Sequence, residues 1–530
     1  IIPLKNLDTL EIATISFGID SLSSFQKRIK YYAKTDDYVY FEAIRKLGYE
    51  GFMKELSKYD LVIAGVHNTR YASSKKYGIA TETTSFIDDL AERTNLILDV
   101  FANPYSLAYF KNADKCLAVI VSYNDWEITN DFSGQLIFGG IPALGRLPVT
   151  PDNRFPVYSG ISTKKIRLKY TRVPEEAGVD SGWLYKVDSV MNEAIVVEAF
   201  PGGQIVAARH GIVFYQKSFG YHTYEKDLPV TDFDLYDLAS LTKVLGTTPA
   251  LMKLYDENKF ELTDSLSEYV KEIANSDKSN YSFFDILTHR AGFKAWIPFY
   301  AETVKTDTAR QQYYSRDHNE QYSIQVAENV FLLSSFRDSI FKQIRNSDTN
   351  PFGRYVYSDL GFYLFPLFIE AATEQSFVEY LDKSFYSSIG TWTICFNPLE
   401  KFERSKIIPT EYDKTFRRQL LHGYVHDQGA AMMDGISGHA GLFACANDIA
   451  KIMQMYLDGG QYGGIEYIKP ETIELFTKYQ FDSTVNRRGL AWDKPCPGDT
   501  TKGLGSGSAS NLAYGHSGYT GTMVWADPYY

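Results

Sequence analysis

The sequence predicts an α/β protein in two parts. The first is an N-terminal α/β sandwich with a mostly parallel sheet; the second has an antiparallel sheet flanked by helices plus an all-helical subdomain. Three observations carry this. Short apolar runs alternate with amphipathic stretches through the first 150 residues. Helical periodicity dominates from Leu238 to about Leu457, and β-rich segments bracket it at 203–217 and 514–526. At 530 residues the chain is also longer than a single domain usually is.

Taken in order, Leu10-Glu-Ile-Ala-Thr-Ile-Ser-Phe17 reads as a strand and 21–34 as an amphipathic helix. Asp60-Leu-Val-Ile-Ala-Gly-Val66 is a second strand, 85–93 a helix, and Asn95-Leu-Ile-Leu-Asp-Val-Phe101 and 116–122 further strands. Continuous apolar strands separated by helices imply a parallel sheet covered on both faces, wound by right-handed crossovers. From about 155 to 182 the pattern dissolves into polar residues with scattered Pro and Gly, which reads as a linker. A helix at 183–198 and a hairpin turning at Arg209-His-Gly211 follow. Strands at both ends of the long helical insertion imply one antiparallel sheet made from the two ends of one domain.

Composition excludes several classes. Apolar residues are 44% and charged residues 22%, the balance of an ordinary folded protein rather than a disordered one. Lys+Arg is 54 against Asp+Glu 65, a net −11 with no basic footprint for nucleic acid. Apolar runs such as Leu117-Ala-Val-Ile-Val121 fall far short of the roughly 18 residues of a membrane span. Cys116, Cys395, Cys445 and Cys496 have no CxxC spacing, so they read as buried or incidental thiols. Residue 1 is Ile, with no charged n-region or cleavage site after it, so a processed or truncated chain is expected.

The strongest local chemical feature is Tyr236-Asp-Leu-Ala-Ser-Leu-Thr-Lys-Val244. Leu241, Val244, Leu245, Leu251 and Leu254 follow a helical period, so Ser240 and Lys243 lie in a first turn and project from one face. A serine hydroxyl needs a neighbouring base to act as a nucleophile, and a desolvated lysine one turn away can be or tune that base. The same Ser-x-x-Lys spacing at Ser24–Lys27, Ser73–Lys76 and Ser162–Lys165 reads as surface, so only accompanying motifs give it meaning. Downstream, Arg354-Tyr-Val-Tyr-Ser-Asp-Leu-Gly-Phe362 sets Tyr357 and Asp359 at the start of an apolar helix. Tyr514-Gly-His-Ser-Gly-Tyr-Thr-Gly-Thr522 is a Gly-rich strand whose backbone can approach a ligand closely.

This ordered set, Ser-x-x-Lys, Tyr-Ser-Asp, His-Ser-Gly, resembles the three signature elements of serine β-lactamases and penicillin-binding proteins. Phe284-Asp-Ile-Leu-Thr-His-Arg-Ala-Gly-Phe293 and Gly438-His-Ala-Gly-Leu-Phe443 are similar too, and the resemblance covers about 180–530. It implies acyl transfer without a cofactor or metal. Ser240 is then the nucleophile, with Lys243 and Tyr357 sharing the base and proton-shuttle roles. Asp359, His516, Ser517 and Gly518 line the substrate site, and the backbone N–H groups of Ser240 and Tyr519 form the oxyanion hole. His426 and Asp427, in Gly423-Tyr-Val-His-Asp-Gln428, fit a supporting loop near the cleft, or simply a hydrogen-bonded turn. Two positions depart from the family: Asp359 stands where Asn is common, and His516 where a Lys usually grips a substrate carboxylate. β-Lactamase and D-Ala-D-Ala activities are therefore in question. The resembled domain also continues with a further strand and helix after the position of Tyr530.

Residues 1–155 resemble the C-terminal α/β domain of family 3 glycoside hydrolases. Ile2-Pro-Leu-Lys-Asn-Leu matches its opening and Ser133-Gly-Gln-Leu-Ile-Phe-Gly-Gly-Ile-Pro-Ala-Leu-Gly-Arg-Leu-Pro148 its close. The catalytic barrel and the His-x-Phe-Pro-Gly-His loop of the β-N-acetylglucosaminidases are not in this sequence, so a packing role is expected. The implied organisation is 1–155, a linker at 156–182, and a hydrolase at 183–530. The implied function is an N-acetylmuramoyl-L-alanine amidase of peptidoglycan turnover, with a muropeptide or small acyl substrate, in the periplasm or cell envelope of a bacterium. The alternatives are an esterase or D-stereospecific peptidase on the same site, and a noncatalytic wall-binding module.

Overall fold

The computed structural model describes residues 1–483, 485–496 and 507–530. The N-terminal unit is a five-stranded, wholly parallel sheet of β1 (Ile12–Phe17), β2 (Asp36–Val39), β3 (Leu61–Val66), β4 (Leu96–Val100) and β5 (Ala118–Val121), in the order β2-β1-β3-β4-β5. Helices α1 (Ser24–Ile29), α2 (Tyr40–Leu56), α3 (Thr81–Arg93) and α4 (Glu127–Phe138) cover both faces. The sequence pattern conceals β2 and α2. β2 opens on two aspartates at the sheet edge, and α2 is broken at Gly48 (φ 70°), which interrupts its period.

The strands are not uniformly apolar, because their two faces differ. Ala13, Ile15, Phe17, Val62, Ala64, Leu96 and Leu98 build a separate core on the outer face. The inner face, under α1 and α4, mixes Ile12, Ile63 and Ile97 with buried Thr14, Ser16 and Asp99. Gln26 satisfies the hydroxyls there: its amide donates to Thr14 Oγ1 (2.9 Å), and its carbonyl accepts from Ser16 Oγ. The capping box between Ser23 and Gln26 fixes α1 so that this side chain points inward.

The inner core is continuous with that of the second unit. Trp392 Nε1 donates to Lys30 O (3.0 Å), and Tyr170 Oη to Asn447 Oδ1 (2.6 Å). The polar stretch at 156–182 is irregular for most of its length, but 166–170 is built in. Arg167 is buried and donates to the carbonyls of Leu4 and Phe138, and Lys169–Tyr170 (β6) adds a strand beside Ile212 and Val213.

In the second unit, α5 (Tyr185–Val196) precedes the hairpin of β7 (Gly202–Arg209) and β8 (Ile212–Gly220). Its turn residues His210 and Gly211 both have positive φ (53° and 69°), the backbone a tight right-twisting hairpin needs. The helical tract contains α6 (Thr248–Asp256), α7 (Phe336–Asn346), α8 (Leu360–Thr373) and α9 (Ala446–Leu457). The chain returns to β structure in β9 (Tyr514–Ser517) and β10 (Met523–Ala526). Among the described residues no ladder joins β9–β10 to β7–β8, so the expected single sheet is two sheets. Strands β7 and β10 both pack on α9, and a side chain links them where a ladder was expected, Arg209 Nε donating to Tyr530 O. Among the described residues no helix is long and apolar enough to cross a membrane.

Candidate active site

Ser240 lies on the turn after a short strand, Tyr236–Asp237, that pairs antiparallel with Phe443–Ala444. Ala239, just before it, is held at φ 45°, a left-handed conformation that costs a non-glycine residue about 1–2 kcal/mol. Asp237 fixes that turn: its carboxylate accepts from Ala239 N (2.8 Å) and His426 N (2.6 Å). After Ser240 the helix opens into a π turn, Lys243–Thr247, before α6. Such wide turns inside helices concentrate at functional sites. Here the turn sends Lys243 inward, fully buried.

Lys243 Nζ donates to Ser240 Oγ at 2.9 Å, and Tyr357 Oη to the same oxygen at 3.2 Å. Lys243 also lies 2.7 Å from Asp359 Oδ1, an ion pair lacking hydrogen-bond angles, and donates to His439 O at 3.3 Å. Burial works against the ammonium, but Asp359 and Tyr357 outweigh it and hold its pKa above the ordinary lysine value. Lys243 is therefore a cation, not a free amine.

Tyr357 and Asp359 are presented by the segment entering α8. Ser358 Oγ donates to Lys294 O (2.6 Å) and caps Leu360 N (3.1 Å), and Asp359 N donates to Ala295 O (3.0 Å). The third element reaches Ser240 through its turn. Thr520 Oγ1 donates to Asp237 O (2.6 Å) and Thr522 Oγ1 to Leu238 O (3.1 Å), which sets residues 518–522 against the nucleophile turn. A Cβ on Gly518 would sit 2.5 Å from Leu238 O, so this approach requires glycine. Among the described residues the backbone N–H groups of Ser240 and Tyr519 have no protein acceptor, which leaves both available to an oxyanion.

His516 is buried in β9. Its Nδ1 donates to Ser517 O (2.8 Å), so in the neutral ring Nε2 carries the lone pair, and among the described residues Nε2 has no partner. Burial first, then the charges of Arg488 and Lys243, push its pKa well below the ordinary histidine value. His516 therefore supplies no cation. Ser517 lies at the end of β9 with Gly518 beyond it. Tyr519 is exposed at the mouth, its ring stacked on His426 at 5.3 Å.

His426 and Asp427 make no direct contact with Ser240, Lys243 or Tyr357. His426 anchors through its backbone and pairs with Glu411 at 3.1 Å. Asp427 caps a short helix through Ala430 N and accepts from His439 Nε2 at 2.9 Å, while Ser437 Oγ meets His439 Nδ1 at 2.8 Å. That chain reaches Lys243 through the His439 carbonyl.

Two neighbours escaped the sequence reading. His289 packs 4.6 Å from the Tyr357 ring and accepts from Ser358 N, and burial holds it neutral. It lies inside the familiar 284–293 stretch, so a signal was present. Arg488 is buried with its guanidinium 5.2 Å from the Tyr357 ring centre and bonded to Tyr355 Oη (3.2 Å). An Arg-Arg-Gly run in a loop carries no local hint of that contact.

A buried Lys and a Tyr converge on the Ser240 hydroxyl, and a Gly-rich strand turn is laid against the backbone beside it, in a fold of parallel sheet plus mixed unit. That arrangement belongs to the class of serine hydrolases. A family model described as Beta-lactamase matches residues 188–529, more than half of the chain, and the chain belongs to that family. Among curated proteins it is similar to a provisionally named D-alanyl-D-alanine carboxypeptidase of Escherichia coli (strain K12), 29% identical over 400 residues, 70% of this chain and 86% of that protein. A similarly named protein of Salmonella typhimurium (strain LT2) is 29% identical over 385 residues, 68% of this chain and 83% of its own. Among solved structures, the octameric penicillin-binding protein homologue from Pyrococcus abyssi aligns with TM-score 0.47 at 21% identity, over 66% of this chain and 71% of that one.

Proposed function

We propose that Ser240 is the nucleophile of an acyl-enzyme hydrolase acting on an amide or ester of peptidoglycan origin, its preferred bond being N-acetylmuramoyl–L-alanine. The observation that carries this is the convergence of Lys243 Nζ (2.9 Å) and Tyr357 Oη (3.2 Å) on Ser240 Oγ. Because Asp359 keeps Lys243 charged, the two do not share the base role equally. Lys243 orients Ser240 and balances developing charge. Tyr357 first loses its phenolic proton to solvent, the phenolate being balanced by the Lys243 cation; it then takes the Ser240 proton as Oγ attacks the carbonyl, and delivers it to the leaving nitrogen or oxygen. Water then adds to the acyl-enzyme by the reverse path, releasing the acid and restoring Ser240. The N–H groups of Ser240 and Tyr519 hold the oxyanion, one such donor being worth about 3 kcal/mol of the barrier.

The neutral His516 favours an amidase over a D-Ala-D-Ala carboxypeptidase, since the latter must grip a terminal carboxylate. The names of the relatives favour the carboxypeptidase, which is the second reading. Incubation with N-acetylmuramoyl-L-alanyl-D-glutamate and with a peptide ending in D-Ala-D-Ala separates them. Free N-acetylmuramic acid, lost in Ser240→Ala, supports the amidase; D-alanine release without it sinks that assignment in favour of the second. Binding without turnover in either case, unchanged in Ser240→Ala, points to a noncatalytic wall module. A fluorescent penicillin is expected to leave Ser240 unlabelled.

We also read residues 1–155 as an accessory domain of the family 3 glycoside hydrolase type, followed by 156–182 and a hydrolase at 183–530, working in the bacterial periplasm or envelope. The motifs at 2–7 and 133–148 support this. The upstream gene sequence tests it: a codon run encoding a glycosidase barrel and a signal peptide is expected.

A further inference from the structure

Next to the reactive residues lies a cleft of about 430 Å³ that no catalytic step uses. One wall is the loop carrying Lys294 and Ile297; the other is α7, which contributes Ser339, Lys342, Gln343 and Asn346. These four sit at i, i+3, i+4 and i+7, so they form a single helix face. The opposite face of α7 is the buried one, with Phe336, Ile340 and Ile344 in the core. The cleft face is polar throughout: one hydroxyl, one ammonium and two amides. Among the described residues none of these four side chains has a hydrogen-bond or ion-pair partner in the protein.

The cleft is fastened to the site from behind. Lys294 O accepts from Ser358 Oγ and Ala295 O from Asp359 N, the two residues directly after Tyr357. Its charges are few. Lys294 is committed to Asp348 (2.8 Å), an exposed carboxylate at the rim. Arg345 turns away to Asn275 O (3.1 Å). Asp338, one turn back from Lys342, forms no ion pair with it. Lys342 is thus an uncommitted cation flanked by amides that can donate or accept. Among the described residues the cations nearest the reacting centre are committed, Lys243 to Asp359 and Arg488 to Tyr355 Oη and Ala491 O, and His516 is neutral.

We propose that this cleft is a substrate subsite that binds a carboxylate-bearing part of an extended peptide substrate, with Lys342 pairing the carboxylate and Gln343 and Asn346 bonding the adjoining amides. The inference rests on the acyl-hydrolase reading for the position of the scissile bond, but the subsite binds whether or not that bond is cut. The substrate class it names is an acidic peptide, since among the described residues the one uncommitted charge lining the cleft is the Lys342 cation.

The test is calorimetric binding to the Ser240→Ala protein of two probes, N-acetylmuramoyl-L-alanyl-D-glutamate and its uncharged diamide. The dicarboxylate is expected to bind about ten-fold more tightly, the weight of one charge-assisted hydrogen bond. Adding Lys342→Glu is expected to remove that preference, and Lys54→Glu on α2, remote from the cleft, to keep it. Equal affinities, no binding of either probe, or a preference that survives Lys342→Glu would overturn the subsite. Absence of turnover by the Ser240 protein alongside a Lys342-dependent preference would sink the amidase assignment alone.

Discussion

On the inner face of the parallel sheet, Asp99 is fully buried and accepts from two hydroxyls, Ser122 Oγ at 2.9 Å and Ser133 Oγ, with the Asp125 carboxylate also nearby. Around Ser240, buried groups instead face charges: Lys243 against Asp359, and Arg488 against the ring of Tyr357. The consequences run in opposite directions. Burial without a cation pushes the Asp99 carboxyl up to about 7, while its two oxygens accept from the seryl hydroxyls. Asp359 keeps Lys243 charged and reactive in an equally dry place. A buried ionisable group signals chemistry only when a second charge holds it ionised; a buried group left to neutral partners is packing.

The largest expected effect is that of Ser240→Ala. It should lower kcat by about 10³–10⁶-fold on any ester or amide the protein cleaves, with an unchanged thermal midpoint because Ser240 is half-buried on a turn. Full activity in that variant would break the contrast at once. Tyr357→Phe follows, with a loss of about 10²–10⁴-fold in kcat and little change in KM, the mark of a proton carrier rather than a binding group. A loss confined to KM would return the base role to Lys243.

Stability against pH separates the two units. A carboxyl whose folded pKa exceeds its unfolded value contributes stability below the unfolded value and loses it as pH rises. Asp99 should therefore cost on the order of 4 kcal/mol between pH 4 and 7. Urea unfolding of Asp99→Asn should lack that decline. In the hydrolase unit the sign reverses. His289 and His516 are held neutral in the fold, so stability is present above about pH 6.5 and lost below it, by about 1.4 kcal/mol per pH unit for each. A wild-type profile flat from pH 4 to 7, or a decline that survives Asp99→Asn, would remove the distinction. Smallest is Ala239→Gly. Relief of the φ 45° strain, offset in part by glycine's unfolded freedom, should raise the unfolding free energy by about 0.5 kcal/mol. Activity should fall as the nucleophile turn loosens, read as kcat on the same ester.

The motifs made the three walls of the site legible because each needs a particular residue where backbone and substrate meet. Ser240 sits on a strained turn, Tyr357 leads a helix, and Gly518 fits only without a side chain. The parallel strands were legible from their apolar runs, and β2 and α2 were not, because an edge aspartate pair and a mid-helix Gly48 erase the period. Arg488 and the polar face of α7 gave no signal either. A charged residue in a loop looks like a solvated surface until another segment is laid against it, as at Arg488, whereas Lys342, Gln343 and Asn346 remain exposed in the fold.

By itself, then, the sequence determined the fold class, the candidate Ser-Lys-Tyr set that the structure brings together, and the presence of His516 where a cation is common. Those are local facts, carried by residue type and spacing along one stretch of chain. Only the tertiary structure decided which groups hold their charge. The protonation of Lys243, His516 and Asp99 depends on what lies nearby in space across separations from 23 residues (Asp99 to Ser122) to more than 250, and on how much water the packing excludes.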